Sequence, residues 1–247
     1  MIRPLVRILW MMLGWLLLAS LTLLMYPLSF LPRKRRPWYT RLFHLWCRIW
    51  VDALGVDLKL HQKNRHPLPR QYILIANHPS AFEDIGIPAL FPVYSLAKIE
   101  VSQWPIVGRI SMAAGTLFVH RESKESRNQA ADLIIQRLAQ GDNIALYPEG
   151  GIKGKRLHDH FRYGAFRISM QTGIPILPVF LQYEAQDAFH WSDQTLPNKI
   201  LQFMTSANNR ANYYIYDAFD PRDFNDHESY CEEVYQQFLR WQEKHLE

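Results

Sequence analysis

Four short segments of this sequence combine residue types that can do chemistry. The first is Asn77-His78-Pro79-Ser80-Ala81-Phe82-Glu83-Asp84. A histidine followed closely by two carboxylates can act as a general base, because a carboxylate fixes the imidazole tautomer and stabilises the imidazolium. Taken alone, a histidine near a strand end equally fits a structural hydrogen bond. Ser80 lacks the Gly-x-Ser-x-Gly surround of an exposed nucleophile and reads as a turn residue. The second segment is Gly115-Thr116-Leu117-Phe118-Val119-His120-Arg121. The third is Tyr147-Pro148-Glu149-Gly150-Gly151, followed by Lys153, Lys155 and Arg156. Glycines let backbone N–H groups approach an anion, and arginine offers a two-pronged fork, so Arg121 and the third loop can together hold a phosphate. The lysines also fit a solvated run of charge. The fourth segment, Ile174-Pro175-Ile176-Leu177-Pro178-Val179, fits plain strand packing. His158-Asp159-His160 is the sole local cluster of metal-ligating types, and it reads as a polar loop rather than a metal site.

The pattern around these segments is one of short strands and helices in alternation. Strands are expected at Tyr72–Ala76, Tyr94–Ala97, Thr116–Val119, Asn143–Tyr147, Ile176–Tyr183 and Tyr213–Tyr216. Helices are expected at Ile85–Phe91, Ser126–Ala139, Phe161–Gln171 and Asp226–His245, the second closed by Gly141 and the third by Gly173. Such alternation predicts an α/β fold, a layered mixed sheet flanked by helices. Each chemistry-bearing segment follows or joins a strand, where α/β domains place functional loops. No internal repeat or low-complexity tract interrupts the pattern.

Ahead of this region the chain changes character. Ile8–Tyr26 carries no charge, and at helical rise it is roughly 28 Å long, close to the ~30 Å of a bilayer's hydrocarbon layer. It is longer than a signal-peptide core and lacks a small-x-small cleavage site, so it reads as a retained anchor. Arg33, Lys34, Arg35 and Arg36 follow, which places the remainder on the cytoplasmic side. Trp38–Leu54 gathers Arg41, His44, Arg48 and Asp52 into one polar stripe on an otherwise apolar, tryptophan-rich helix. That pattern suits a membrane interface or packing on the catalytic domain. Full span and one-leaflet hairpin both remain open. The expected division is membrane-anchoring helices over 1–55 and one catalytic domain over 56–247. The 247 residues carry a net charge of +5, which fits an anionic lipid or phosphorylated partner. Nucleic acid is disfavoured, because the positive charge clusters at the anchor. The two cysteines, Cys47 and Cys231, read as reduced structural thiols.

The ordered blocks Asn-His-Pro-Ser, Gly-Thr-Leu-Phe-Val-x-Arg, Tyr-Pro-Glu-Gly and Ile-Pro-Ile-x-Pro-Val resemble the glycerolipid acyltransferases. Ala97-Lys98, Trp104-Pro105 and Gly108 stand between the first two blocks. The resemblance covers about Ile73 to Leu181. It implies that His78 takes the proton from an acceptor hydroxyl, which then attacks the thioester of acyl-CoA or acyl-carrier protein. No covalent acyl-enzyme and no cofactor or metal is implied. Membrane lipids are the implied partners, and a lysophospholipid, foremost 1-acylglycerol-3-phosphate, is the implied acceptor. Arg121, Glu149, Gly150, Gly151, Lys153 and Lys98 are implied as substrate-binding residues, and Pro178 as a wall of the pocket. Two features depart from the family pattern. Glu83 occupies the usual aspartate position and Asp84 follows it. The apolar Ile85 makes Asp84 the expected partner of His78, with Glu83 the alternative. Gly151-Ile152 stands where the family has threonine and arginine. Either Lys153, Lys155 or Arg156 supplies the missing charge, or the headgroup differs, as in a lyso-ornithine lipid. A catalytically degenerate lipid-binding protein is the non-enzymatic alternative.

Overall fold

The computed structural model describes residues 2–31, 36–152, 154–190 and 195–246. Its centre is a seven-stranded sheet in the order β1-β7-β6-β2-β5-β3-β4. The strands are β1 (Asp57–Gln62), β2 (Ile73–Ala76), β3 (Val93–Lys98), β4 (Leu117–Val119), β5 (Asn143–Leu146), β6 (Ile176–Tyr183) and β7 (Arg210–Ile215). Every pairing is parallel except β6 with β7. The expected mixed, layered α/β architecture is therefore present.

Parallel central strands need cover on both faces, and their side chains divide accordingly. Leu74 and Ala76 of β2, with Leu177, Val179 and Leu181 of β6, face one core. Ile73 and Ile75, with Ile176 and Phe180, face the other. The first core is covered by α2 (Pro37–Ala53), α3 (Glu83–Leu90), α4 (Val107–Ala114), α7 (Gln186–Phe189) and α8 (Leu196–Thr205). The second is covered by α5 (Lys124–Ala139), α6 (Gly164–Thr172) and α9 (His227–Leu246). Leu117, Ile134, Phe166, Val234 and Phe238 fill it.

α1 (Ile2–Leu28) contains Val6–Leu28, a stretch long and apolar enough to cross a membrane. It runs antiparallel to α2, as the contacts Gly14 to Ala53, Thr22 to Trp46 and Met25 to Tyr39 show. A Cβ at Gly14 would sit 2.8 Å from the Ala53 nitrogen, so the helices touch backbone to backbone there. Both ends of α1 also reach the sheet domain. Arg7 Nη2 donates to Ser206 O at 3.2 Å, and Arg109 Nη2 donates to Ser29 O at 3.3 Å. Its outer face presents Leu9, Trp10, Leu13, Leu16, Leu17 and Leu24 to the surroundings. α2 does not stand apart from the domain, because Phe43, Trp46 and Val51 belong to the same core as β2 and β6.

Candidate active site

The strands β2, β3, β4 and β5 end along one edge of the sheet, and the first three chemistry-bearing segments leave from there, whereas the fourth enters β6 at the opposite edge. At the end of β2, Asn77 makes a side-chain rung with β6. Its Nδ2 donates to Leu181 O at 2.9 Å, and its Oδ1 accepts from Leu181 N at 2.7 Å. The main chain is thereby released from pairing at residue 77, and the next residue, His78, turns inward. The ring of His78 is buried and stacks on Tyr147 at the end of β5, with centroids 4.2 Å apart and planes 11° apart.

Glu83 and Asp84 open α3, where the helix dipole favours carboxylates. Glu83 Oε2 lies 3.5 Å from His78 Nδ1, and among the described residues neither atom has a hydrogen bond of ordinary geometry. Ser80 N donates to Glu83 Oε1 at 2.9 Å, which fixes the carboxyl group. Ser80 itself is a turn residue, since its hydroxyl donates to Phe189 O and accepts from Phe82 N. The expected partner Asp84 is not the carboxylate against Nδ1. Successive helical residues point about 100° apart, so one of the pair meets His78 while the other turns away. Asp84 lines an adjacent cavity, still close enough for its charge to bear on the imidazole.

Electrostatics follow burial. Desolvation pushes the His78 pKa below its usual 6.5, opposed by Asp84 and Glu149 and assisted by Arg121. Desolvation also raises Glu83 well above the ordinary carboxylate range, against the pull of Tyr183 and the Ser80 amide. Asp84 is raised by burial and by Glu83, while His78 and Arg121 act in the opposite sense. Behind Glu83, the hydroxyls of Tyr183 and Tyr213 lie 3.3 Å apart, both deeply buried.

The remaining candidates divide into contacts and supports. Glu149, expected to touch substrate, is buried, and its carboxylate clamps backbone. His78 N donates to its Oε1 at 2.7 Å and His158 N to its Oε2 at 2.8 Å. Gly150 adopts the left-handed conformation at φ 76°, and a Cβ there would collide with the Arg162 guanidinium. Arg121 Nη1 donates to Gly150 O at 3.3 Å and lies beside Gly151, while Arg127 Nη1 holds Arg121 O at 2.6 Å. Lys98 ends β3 on the same edge but pairs at the surface with Glu100 at 2.9 Å. Lys153 lies outside the described residues. Arg162, absent from the sequence-based candidates, is drawn in by its amide, which donates to Pro148 O at 2.8 Å. His158 and His160 meet edge to face, and no group of three or more His, Cys, Asp or Glu side chains among the described residues is placed to hold a metal.

Two hollows lie next to neighbours of His78, one lined by Asp84 and the other by Tyr147, and His78 itself lines neither. One, of about 140 Å³, is almost wholly apolar and lies between the α1–α2 hairpin and the domain. Phe43, Trp46 and Trp50 of α2 wall it with Phe82, Asp84 and Phe203. The other, of about 190 Å³, opens on the α5–α6 side. Arg121, Arg127 and Arg162 line it with Tyr147, Gly150 and the start of α6 at Gly164.

A buried histidine–carboxylate pair at the carboxyl edge of such a sheet, beside an apolar hollow and a cationic one, describes a site for an amphiphilic substrate. The acyltransferase family model matches residues 57–182, just over half of the sequence, and the chain belongs to that family. It is 32% identical over 160 residues to a lyso-ornithine lipid O-acyltransferase of Pseudomonas aeruginosa, covering 60% of each chain. It is 27% identical over 115 residues to a 1-acyl-sn-glycerol-3-phosphate acyltransferase of Neisseria gonorrhoeae, covering 47% of this chain and 45% of that one. The matched stretch thus spans 60% or less of the length of these curated relatives. The fold is shared with the crystal structure of the 1-acyl-sn-glycerophosphate acyltransferase of Thermotoga maritima. That comparison has a TM-score of 0.66 at 19% identity and covers 98% of this chain and 97% of that one.

Proposed function

We propose that the protein moves a fatty acyl chain from a thioester to the hydroxyl of an anionic lysolipid at a membrane surface, with 1-acylglycerol-3-phosphate as the acceptor. The observation that carries this reading is the place of His78, between a residue of the apolar hollow and a residue of the cationic one. Nε2 takes the hydroxyl proton while Glu83 at Nδ1 holds the tautomer and stabilises the imidazolium. The alkoxide oxygen forms a bond to the thioester carbonyl carbon. Collapse of the tetrahedral intermediate breaks the carbon–sulfur bond, and the departing thiolate receives the proton from His78. The acyl chain lies in the apolar hollow, and the headgroup lies against Arg121 and Arg162. Arg162 supplies the charge that Ile152 does not. The α1–α2 hairpin lies along one leaflet, because a helix tied at both ends to the same domain has no free end to send across the bilayer. This places the mouth of the apolar hollow at the lipid.

A second reading keeps the mechanism and changes the acceptor to a lyso-ornithine lipid. It is favoured by the missing arginine at Ile152 and by the description of the Pseudomonas relative. The test is acyl transfer by the purified full-length protein in vesicles. Labelled acyl-CoA and labelled acyl-carrier protein are offered separately with a panel of lysolipids, and His78→Ala serves as control. Transfer to 1-acylglycerol-3-phosphate that is lost in the control supports the first reading. Transfer to lyso-ornithine lipid alone supports the second. No transfer from either donor to any acceptor removes both.

A further inference from the structure

A third hollow, of about 340 Å³, lies away from the transferase site, where the end of α1 meets the start of α2. Arg36, Arg109 and Arg137 line it together with Ser29, Thr40 and Gln140, and none of its described lining residues is acidic. Tyr94, another of its residues, stands at the beginning of β3, four positions before Lys98. At the rise of a strand that is about 13 Å from the edge that carries the catalytic residues. The hollow is therefore a separate place on the molecule.

Its guanidinium groups are held in position. Arg36 Nη1 donates to Leu28 O at 3.1 Å, and Arg109 Nη2 donates to Ser29 O. Arg109 lies over the Phe30 ring at 4.2 Å and Arg137 over the Tyr94 ring at 4.5 Å. Arg137 also pairs with Asp142 at 3.5 Å. Arg109 keeps a buried Nε that has no hydrogen-bond partner among the described residues. A second observation points to the same kind of ligand. α2 begins at this hollow with Pro37 in its first turn, without a side-chain cap and without an acidic residue. The partial positive charge of a seventeen-residue helix thus meets no capping side chain and no acidic residue in its own first turn. The site lies where the apolar helix ends, at Tyr26 and Phe30. Aromatic residues of that kind mark the headgroup level of a bilayer.

We propose that this hollow binds the phosphate of an anionic membrane phospholipid and so fixes the depth and direction of the hairpin in its leaflet. The bound lipid is a structural partner, distinct from the acceptor consumed at His78. The proposal rests on the hairpin lying along one leaflet, and the experiment separates the two. Full-length wild type, Arg109→Lys and Arg137→Gln are floated with phosphatidylcholine vesicles, with and without phosphatidylglycerol, at low and at raised ionic strength. Arg109→Lys keeps the charge but loses the fork, so it distinguishes a built site from diffuse attraction. All three proteins are expected to bind phosphatidylcholine alike through the hairpin. On phosphatidylglycerol at raised ionic strength both variants are expected to bind about tenfold more weakly than wild type, as the loss of a charge-assisted hydrogen bond implies. Variants equal to wild type on both vesicles would overturn the site. A thermal shift of wild type with inorganic phosphate in detergent, lost in Arg109→Lys without any difference on vesicles, would overturn the lipid as occupant. Loss of binding to phosphatidylcholine by wild type itself would overturn the hairpin reading on which the proposal stands.

Discussion

On the hairpin side of the sheet, the hollow beside His78 is walled by Phe43, Trp46, Trp50, Phe82 and Phe203, and Asp84 is the carboxylate on its wall. On the α5–α6 side, the hollow holds three guanidinium groups and the start of a helix. The first borders the element that meets lipid, the second the face away from it. In the proposed mechanism an amphiphile places its chain toward the hairpin and its headgroup toward Arg121 and Arg162. Burying a headgroup charge among the tryptophans would cost several kcal/mol away from Lys199, a cation on the same wall, so on the proposed reading the contrast between the hollows favours this direction of binding.

The most damaging break is at the junction. His78→Ala removes the group that both hollows serve, and transfer is expected to fall roughly 10²–10⁴-fold with vesicle binding unchanged. Rates near wild type would end the general-base mechanism. Next, Glu83→Gln is expected to lower kcat on the order of 10²-fold. This is less than the ~10⁴-fold of a serine-protease aspartate, because the two groups stand 3.5 Å apart rather than in a short hydrogen bond. Asp84→Asn is expected to cost less. The reverse order in measured kcat would return the orienting role to Asp84.

Smaller changes address each hollow by itself. Arg162→Gln is expected to raise KM for an anionic acceptor about tenfold with little change in kcat, and to leave acyl-chain preference alone. An unchanged KM would place the headgroup elsewhere. Ala97→Phe grows into the apolar hollow and is expected to shift donor preference toward shorter chains by roughly tenfold, leaving acceptor KM as it was. A shift in both would mean that the hollows are not independent. The pH profile gives a milder test of the junction. His78 must be neutral to act as a base, and burial lowers its pKa, so the acid limb of kcat/KM is expected below the ordinary histidine value of 6.5. A limb above that value would show that the nearby carboxylates outweigh desolvation.

Much of the fold was legible because buried parallel strands advertise themselves. The expected strand Ile176–Tyr183 matches β6 residue for residue, and those expected at β2 and β5 differ by one, since runs such as Ile73–Ala76 are apolar without alternation. β1 escaped because it is an edge strand whose Lys59 and Leu60 stay exposed. α4 is eight residues long and contains Gly108, and α8 is ten residues long with Pro197 in its first turn, so both are amphipathic but too short to stand out as helices in the sequence. In the site, residue types were legible and their directions were not. Spacing along the chain cannot rank Glu83 against Asp84, because the answer depends on where α3 starts its first turn. Glu149 was recognised as important, but its two backbone clamps arise from a loop closure that no local motif reveals. Arg162 had no signal at all. It reaches the site through the pairing of residues 148 and 162, which the sequence separates widely.

The side-chain rung made by Asn77 has a further consequence. The Leu181 amide is protected from solvent exchange by a side chain of the catalytic turn rather than by backbone of the sheet. Its exchange rate therefore monitors whether that turn is closed, independently of turnover. In Asn77→Ala both the donor to Leu181 O and the acceptor of the Leu181 amide are gone. That single amide is expected to lose protection while its neighbours in β6 keep theirs, so Leu181 is a gauge, already built into the chain, of how firmly the histidine is held.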